Sequence, residues 1–285
     1  MPNEPITTPI HFPILINGVK TSHIYVMDRG LLYGDGLFTT LAVKRGKPIL
    51  LDRHLARLET DSKKLRLSLD LSLVIEEIHL LLKGFYEDAV LRITVTRGEG
   101  QRGYRIPVET TTTRILSLNP FPTVHVPEKG INLRVCDTRL SRQPRLCGIK
   151  HLNRLEQVIA RSEWSDPFFH EGLMFDDNDL LIEGTMSNVF LAFDMSSIIT
   201  PRLQECGIKG VMREEVIHLA KQRGVDVYEE EISRHDLVKA KEIFMTNSII
   251  GVWPAQTCLI GENSHLKFTP HWGLEFRKMI QELMQ

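Results

Sequence analysis

RLCGIKHLNRLEQV, residues 145–158, sets a lysine between two unlike segments. A basic, partly apolar loop runs up to Lys150, and after it apolar residues fall at 152, 155, 158 and 159, the spacing of one helix face. The pattern predicts a helix over 151–164 with Lys150 at its threshold. There the positive end of the helix dipole disfavours an ammonium and lowers the side-chain pKa. A lysine that is neutral at working pH can attack a carbonyl carbon and afterwards carry protons. On this segment alone, an ordinary exposed lysine is the more economical reading, so the weight rests on what stands around it.

Outward toward the C-terminus, GLMFDDNDLLIEG (172–184) alternates around Asp-Asn-Asp turn chemistry and predicts a hairpin. VFLAF (189–193) reads as a strand, VMREEVIHLAKQRG (211–224) as a helix stopped by glycine, and VDVYEEEI (225–232) and EIFMTN (242–247) as strands. Upstream, INLRVCD (131–137) is a strand. NPFPTVHVPEKG (119–130) carries three prolines and no helical period, which marks a connection. Before it stand a hairpin of ILING and HIYVMD around Asn17-Gly18, then the apolar segment RGLLYGDGLFTTLAVKRGKPI, which Gly34 and Gly36 interrupt. LLDRHLARLETDSKKLRL (50–67), with apolar residues at 51, 55, 58 and 65, and residues 71–83 predict two amphipathic helices. The strands VLRITVTRG and TTRILSLNP complete this half. The fold class is α+β in two domains: a tail over 1–12, a small N-terminal α/β domain over 13–122 and a larger C-terminal domain over 123–285.

Composition narrows the function. A chain of 285 residues, 42% hydrophobic, buries a substantial core, and a formal net charge of -1 gives no field to hold nucleic acid or an anionic membrane. Apolar runs such as ILL (49–51) and LLL (80–82) are far too short to span a bilayer. MPNEPITTPIHFP has neither a basic start nor an apolar run, so it is not a signal peptide, and a cytoplasmic location is expected. The four cysteines form no CxxC pair and the histidines are scattered, so no metal site is expected.

Several residues fit a lysine-held, phosphorylated ring cofactor. Glu183, where LLIE meets Gly184, is placed to face a ring nitrogen, with Asn188 beside the turn. PRLQECGIKGVMREEV puts Gly207, Ile208, Lys209 and Gly210 immediately before a helix, where backbone N–H groups and the helix dipole suit a phosphate. Arg53 offers a guanidinium at a helix start, and Asn247 and Ser248 offer hydrogen bonds at a strand end. Singly, each reads as a surface or turn residue.

In order along nearly the whole chain, LINGV, DRGLLYGDGLFTT, LDRHLARL, TRGEGQRGY, GIKHLNRLEQV, EGTMSNVF, TPRLQECGIKGVMR and the stretch Thr246-Asn247-Ser248 resemble the fold-type IV (class IV) pyridoxal-phosphate-dependent aminotransferase family. Within it the chain is most similar to the aminodeoxychorismate lyases. EGTMSNVF is shared with the D-amino-acid and branched-chain aminotransferases. The resemblance implies a D-amino-acid aminotransferase-like fold with a C-terminal pseudo-barrel, and a homodimer. It implies pyridoxal 5'-phosphate on Lys150, Glu183 at the pyridine nitrogen, and Arg53, Ile208, Lys209, Asn247 and Ser248 around the phosphate, the isoleucine and its neighbour acting through backbone N–H groups. The implied reaction turns 4-amino-4-deoxychorismate into 4-aminobenzoate and pyruvate on the way to folate. Class IV amino-group transfer is the alternative.

Such a substrate carries two carboxylates. Arg134, Arg139, Arg142, Arg145 and Lys150 stand against one acid, Asp137, a local excess of four positive charges. Arg142, together with Arg97, Arg102 and Tyr104 of the glycine loop, is the expected substrate-binding set. Thr39, Thr40 or Lys150 itself is the expected proton donor, and Thr40 is the threonine assigned to catalysis.

Overall fold

The computed structural model describes residues 12–123, 127–261 and 264–284. Apart from Phe12, which packs on the N-terminal core, the expected tail lies outside the described residues. Two sheets divide the chain, and the changeover falls between Pro120 and Ile131.

The N-terminal body contains β1 (Ile14–Ile16), β2 (Val19–Lys20), α1 (Arg29–Tyr33), β3 (Gly36–Lys44), β4 (Lys47–Pro48), α2 (Leu51–Leu65), α3 (Leu71–Leu82), β5 (Ala89–Thr96) and β6 (Thr113–Pro120). Its six strands run in the order β2-β1-β6-β5-β3-β4, each pair antiparallel. Asn17 and Gly18 both take positive φ, 50° and 77°, the mirror-image turn that suits the twist of a two-residue hairpin. One sheet face, with Leu37, Leu41, Leu91, Ile93 and Leu116, buries against Leu55 and Leu58 of α2 and Val74 and Ile78 of α3. The period-2 and period-3.6 patterns meet there.

The C-terminal body contains β7 (Ile131–Leu140), α4 (Leu155–Arg161), β8 (Glu171–Asp176), β9 (Leu181–Gly184), β10 (Asn188–Ala192), β11 (Ser197–Pro201), α5 (Val211–Gln222), β12 (Asp226–Glu230), α6 (Arg234–Lys239), β13 (Glu242–Asn247), β14 (Gly251–Ile260), β15 (Ser264–Lys267) and α7 (Trp272–Leu283). Its path is β12-β11-β10-β13-β14-β7-β8-β9, with β15 beside β14. The sheet curls until its ends approach: the Leu181 N–H donates to Ile232 O at 2.7 Å, joining β9 to the segment after β12. Alternate residues fill the curl, among them Leu133, Leu173, Phe175, Val189, Leu191, Ile243 and Met245. Intervening residues face outward, Phe190 and Phe244 against α5 and α7 and Met174 against the neighbourhood of α4. All four cysteines are buried free thiols.

Two expectations fail. HIYVMD forms no strand; Ile24, Tyr25, Val26 and Met27 are exposed, and Asp28 instead caps α1 by accepting from the Gly30 N–H. The helix after Lys150 begins only at Leu155, because residues 150–152 are held elsewhere.

Candidate active site

The Lys150 segment runs extended along the free edge of β3. Lys150 C=O accepts from the Phe38 N–H at 2.9 Å and the Leu152 N–H donates to Gly36 O at 3.0 Å. Lys150 is therefore five residues short of a helix, and the dipole does not act on it as expected. Its pKa is nevertheless lowered, to about 7. Burial of the amino group is the main cause, Arg57, Arg154 and Arg92 add positive potential, and Glu183 opposes them. Part of the residue reaches solvent, whereas Nζ sits 4.7 Å over the Phe38 ring.

Glu183 lies in β9, one residue before its end, at 3% exposure. Burial raises its pKa, and two donors hold its anion: the Ile208 N–H at 2.8 Å to Oε2 and Gln157 Nε2 at 3.4 Å to Oε1. Arg154 and Lys150 stabilise the same charge. The EGTMSN turn beyond it is organised by buried Glu171, which accepts from Thr185, Met186 and Ser187. Asn188 Nδ2 donates to Ile208 O at 2.8 Å, tying β10 to the loop before α5.

In that loop the structure departs from the expected phosphate cradle. The Ile208 N–H donates to Glu183 and the Lys209 N–H to Gly148 O at 3.2 Å. Beyond them, the N–H groups of Gly210, Val211, Met212 and Arg213 have no protein acceptor among the described residues; they lie at the N-cap and first turn of α5, where Gly210 offers no side-chain cap. A Cβ on Gly210 would collide with Asn188 Oδ1, so the close approach requires glycine there. Asn247 caps its own turn, accepting from the Ile249 and Ile250 N–H groups and donating to Met186 O, with Ser248 half-buried inside the turn.

The arginine turned toward the lysine is Arg57, which the sequence reading missed. Arg53 instead pairs with Glu215 of α5 at 2.7 Å, which lays α2 beside the open turn. Arg57, one helical turn on, is half-buried and its charge acts on Lys150; desolvation of the guanidinium lowers its pKa to about 10. It donates from Nη2 to Thr39 Oγ1, and its Nε is buried without a partner. Thr39 also bonds His54 Nδ1 at 2.6 Å; burial and Arg57 push the His54 pKa well down, so the ring is neutral. Thr39 thus serves the core side, whereas Thr40 shares the opposite face of β3 with Phe38.

Arg154, also missed, stands against the His151 ring with its Nε buried and unpartnered, close enough to Lys150 and Glu183 to bias both. A cavity of about 270 Å³ adjoins this segment, lined among others by Cys147, His151, Arg154, Gln157 and Gly207.

The expected substrate residues are dispersed. Arg97 is buried and bonded to Asp35 twice and to the carbonyls of Leu65 and Arg66, so its donors close the N-terminal body rather than face Lys150. Arg102 and Tyr104 are exposed, Tyr104 lying edge-on to Tyr33. Arg142 lies 3.7 Å from Asp176 and 3.5 Å from Glu205, and Arg134 and Arg139 face Glu163 and Asp179. Acids distant in sequence thus offset the local excess of positive charge.

A lysine with a near-neutral pKa, a buried acid, a guanidinium whose Nε is unpartnered and an open helix turn converge where the two bodies meet, and the class IV aminotransferase family model matches residues 36–258. The chain belongs to that family. Within this class IV family it is 34% identical over 252 residues to an aminodeoxychorismate lyase of Vibrio harveyi, covering 87% of this chain and 92% of that one. A putative branched-chain-amino-acid aminotransferase of Methanocaldococcus jannaschii is 32% identical, with 82% of each chain covered. The crystal structure of 4-amino-4-deoxychorismate lyase from Pseudomonas aeruginosa superposes with a TM-score of 0.88 at 41% identity, over 94% of this chain and 98% of that one. Pyridoxal phosphate fits the class IV site on its own terms. Lys150 would supply the amine, Glu183 the acid, and the unpartnered Arg57 Nε with the open N–H groups of α5 would supply the anion site.

Proposed function

We propose that the protein is a pyridoxal-phosphate-dependent 4-amino-4-deoxychorismate lyase that releases 4-aminobenzoate and pyruvate. The observation that carries the reading is the near-neutral Lys150 beside Glu183, in a chain 41% identical to a solved lyase over almost its whole length. Neutral Lys150 takes the proton from the amine-bearing ring carbon. Glu183 holds a proton at the ring nitrogen of the cofactor. Pyridoxal phosphate, when bound, supplies the sink for the electrons left at that carbon. The enolpyruvyl C–O bond then breaks, the six-membered ring becomes aromatic, and the departing enolpyruvate takes a proton and leaves as pyruvate. Atoms balance without a second substrate. Thr40, on the Phe38 face of β3, and Lys150 are the assigned donors for that proton, with Arg57 and the first turn of α5 holding the phosphate.

Arg142, Arg102 and Tyr104 are retained as carboxylate-binding candidates; Arg154, whose charge acts on Lys150, joins them. We also assign a homodimer. Leu155, Val158 and Ile159 of α4 and Leu31 and Leu32 of α1 are exposed, and Asn153 Nδ2 reaches Gly34 O at 3.4 Å, which brings the end of α1 near the start of α4. A second copy covering this apolar surface follows the pattern implied by the family.

The 32% identity to a putative branched-chain aminotransferase keeps amino-group transfer as the second reading. The deciding assay supplies 4-amino-4-deoxychorismate without any keto acid and follows 4-aminobenzoate, beside D-alanine and branched-chain amino acids with 2-oxoglutarate. Formation of 4-aminobenzoate is expected; efficient amino-group transfer without it would replace the lyase by the aminotransferase.

A further inference from the structure

Asp61 is a carboxylate where a helix ordinarily places an apolar residue. It sits on the inward side of α2 with His54, Leu55, Leu58 and Ser62, at 4% exposure. No cation lies within 4.0 Å of it among the described residues, although Arg57 and Lys64 act on it at longer range. Its one hydrogen bond is to the backbone of the catalytic lysine: the Lys150 N–H donates to Asp61 Oδ2 at 3.1 Å. Since Phe38 donates to Lys150 C=O, both peptide groups of Lys150 are held by the N-terminal body, one by β3 and one by α2.

We propose that Asp61 is a positioning residue for Lys150, fixing the lysine backbone from the N-terminal body and balancing the positive charge around its amino group. A buried backbone N–H without an acceptor is costly, so the bond pins the lysine Cα and with it the arc its amine sweeps. The charge has a separate effect. Facing Lys150 are Arg57, His54 and Asp61 from α2, Arg92 from β5, His151 and Arg154 from its own segment and Glu183 from β9. Three arginines oppose two carboxylates. Burial raises the Asp61 pKa while Lys150, Arg57 and Lys64 hold it down, and removal of its charge leaves Lys150 a weaker base.

The inference rests on Lys150 being the cofactor lysine. Mass-mapped borohydride labelling of the loaded wild type tests that premise separately, because a label on another lysine would fail the proposed function itself. Asp61→Asn retains an oxygen that accepts the N–H but no charge; Asp61→Ala retains neither. In the full-length apoprotein, acetic anhydride labelling of Lys150 across pH should show the midpoint moved down by roughly half a unit or more in both variants. Hydrogen exchange of the peptide over 147–152 should stay near wild type in Asp61→Asn and rise about tenfold in Asp61→Ala, with the peptide over 171–184 unchanged. In the loaded enzyme Asp61→Ala should lose about tenfold in kcat with little change in KM, and Asp61→Asn should recover most of it. An unmoved midpoint in Asp61→Asn overturns the charge balance, and this result decides even where the alanine variant fails to fold. A rise in exchange spread evenly over the chain, or none at 147–152, overturns the positioning role.

Discussion

Lys150 and its neighbours set a measurable acid–base property. Its folded pKa of about 7 lies below the ordinary 10.5, so between those values the unfolded chain holds a proton that the folded apoprotein does not. Stability contributed by this site therefore rises with pH across that window, by at most about 1.4 kcal/mol per unit. Apoprotein melts at pH 7 and pH 9 should show that rise, and Lys150→Met should remove it; equal pH dependence in the two proteins would show that the amine is not shielded. Glu183→Gln should keep the fold and the bound cofactor yet lose at least about a hundredfold in kcat, since a neutral amide cannot stabilise a pyridinium charge. Wild-type turnover in that variant would remove Glu183 from the mechanism.

Among the elements, α2 and α5 carry the sharpest contrast. Arg53 and Arg57 are one turn apart, but Arg53 is bound to Glu215 while Arg57 keeps a buried, unpartnered Nε. Arg57→Met should weaken pyridoxal phosphate binding by about tenfold to a thousandfold, the worth of a buried charge-assisted contact. Arg53→Met should cost stability more than affinity, and equilibrium dialysis beside thermal melts separates the two. Periodicity alone did not choose between them. At about 100° per residue, His54 and Asp61 border the 51, 55 and 58 stripe, whereas Arg53 and Arg57 lie only about 40° apart on the far side of it. Strands and turns were legible wherever alternation met turn chemistry, as in β5, β6, β8, β9 and the Asn17-Gly18 hairpin. The Lys150 segment was not, because Leu152 and Leu155 fit a helix period, whereas the bonds that hold 150–152 extended come from β3, distant in sequence. The cradle shifted for a similar reason: whether the Ile208 N–H faces a phosphate or Glu183 is settled by tertiary contact.

The whole molecule joins its bodies at the lysine and leaves an apolar surface beside it. Leu155, Val158 and Ile159, whose spacing reads as one helix face, are 75%, 61% and 55% exposed; within α4 the residues turned to the core are Gln157 and Ala160. Periodicity finds an apolar face but does not say whether the same chain covers it. Sedimentation should give a dimer, and Val158→Asp with Ile159→Lys should shift it to monomer and reduce kcat by about tenfold or more. A fully active wild-type monomer would refute the assembly and leave the lysine chemistry standing. Among the described residues no helix is long and apolar enough to cross a membrane.

The buried cysteines give the fold a built-in clock. Cys136, Cys147 and Cys206 share one core cluster near α4, and Cys258 lies in the filling of the curled sheet. Burial raises every one of these thiols, Cys206 and Cys258 to about 12, so few are thiolates at neutral pH. Ellman's reagent can then reach Cys136 and Cys258 only as fast as the protein opens, whereas Cys147 and Cys206 border the cavity beside Lys150, so each thiol reports on its own region. Cys147 and Cys206 flank the Lys150 and Ile208 segments, joined where the Gly148 N–H donates to Gly207 O at 2.9 Å. Cofactor bound between those segments should slow their modification at least about tenfold relative to Cys258, so peptide-resolved labelling would read ligand occupancy without any substrate.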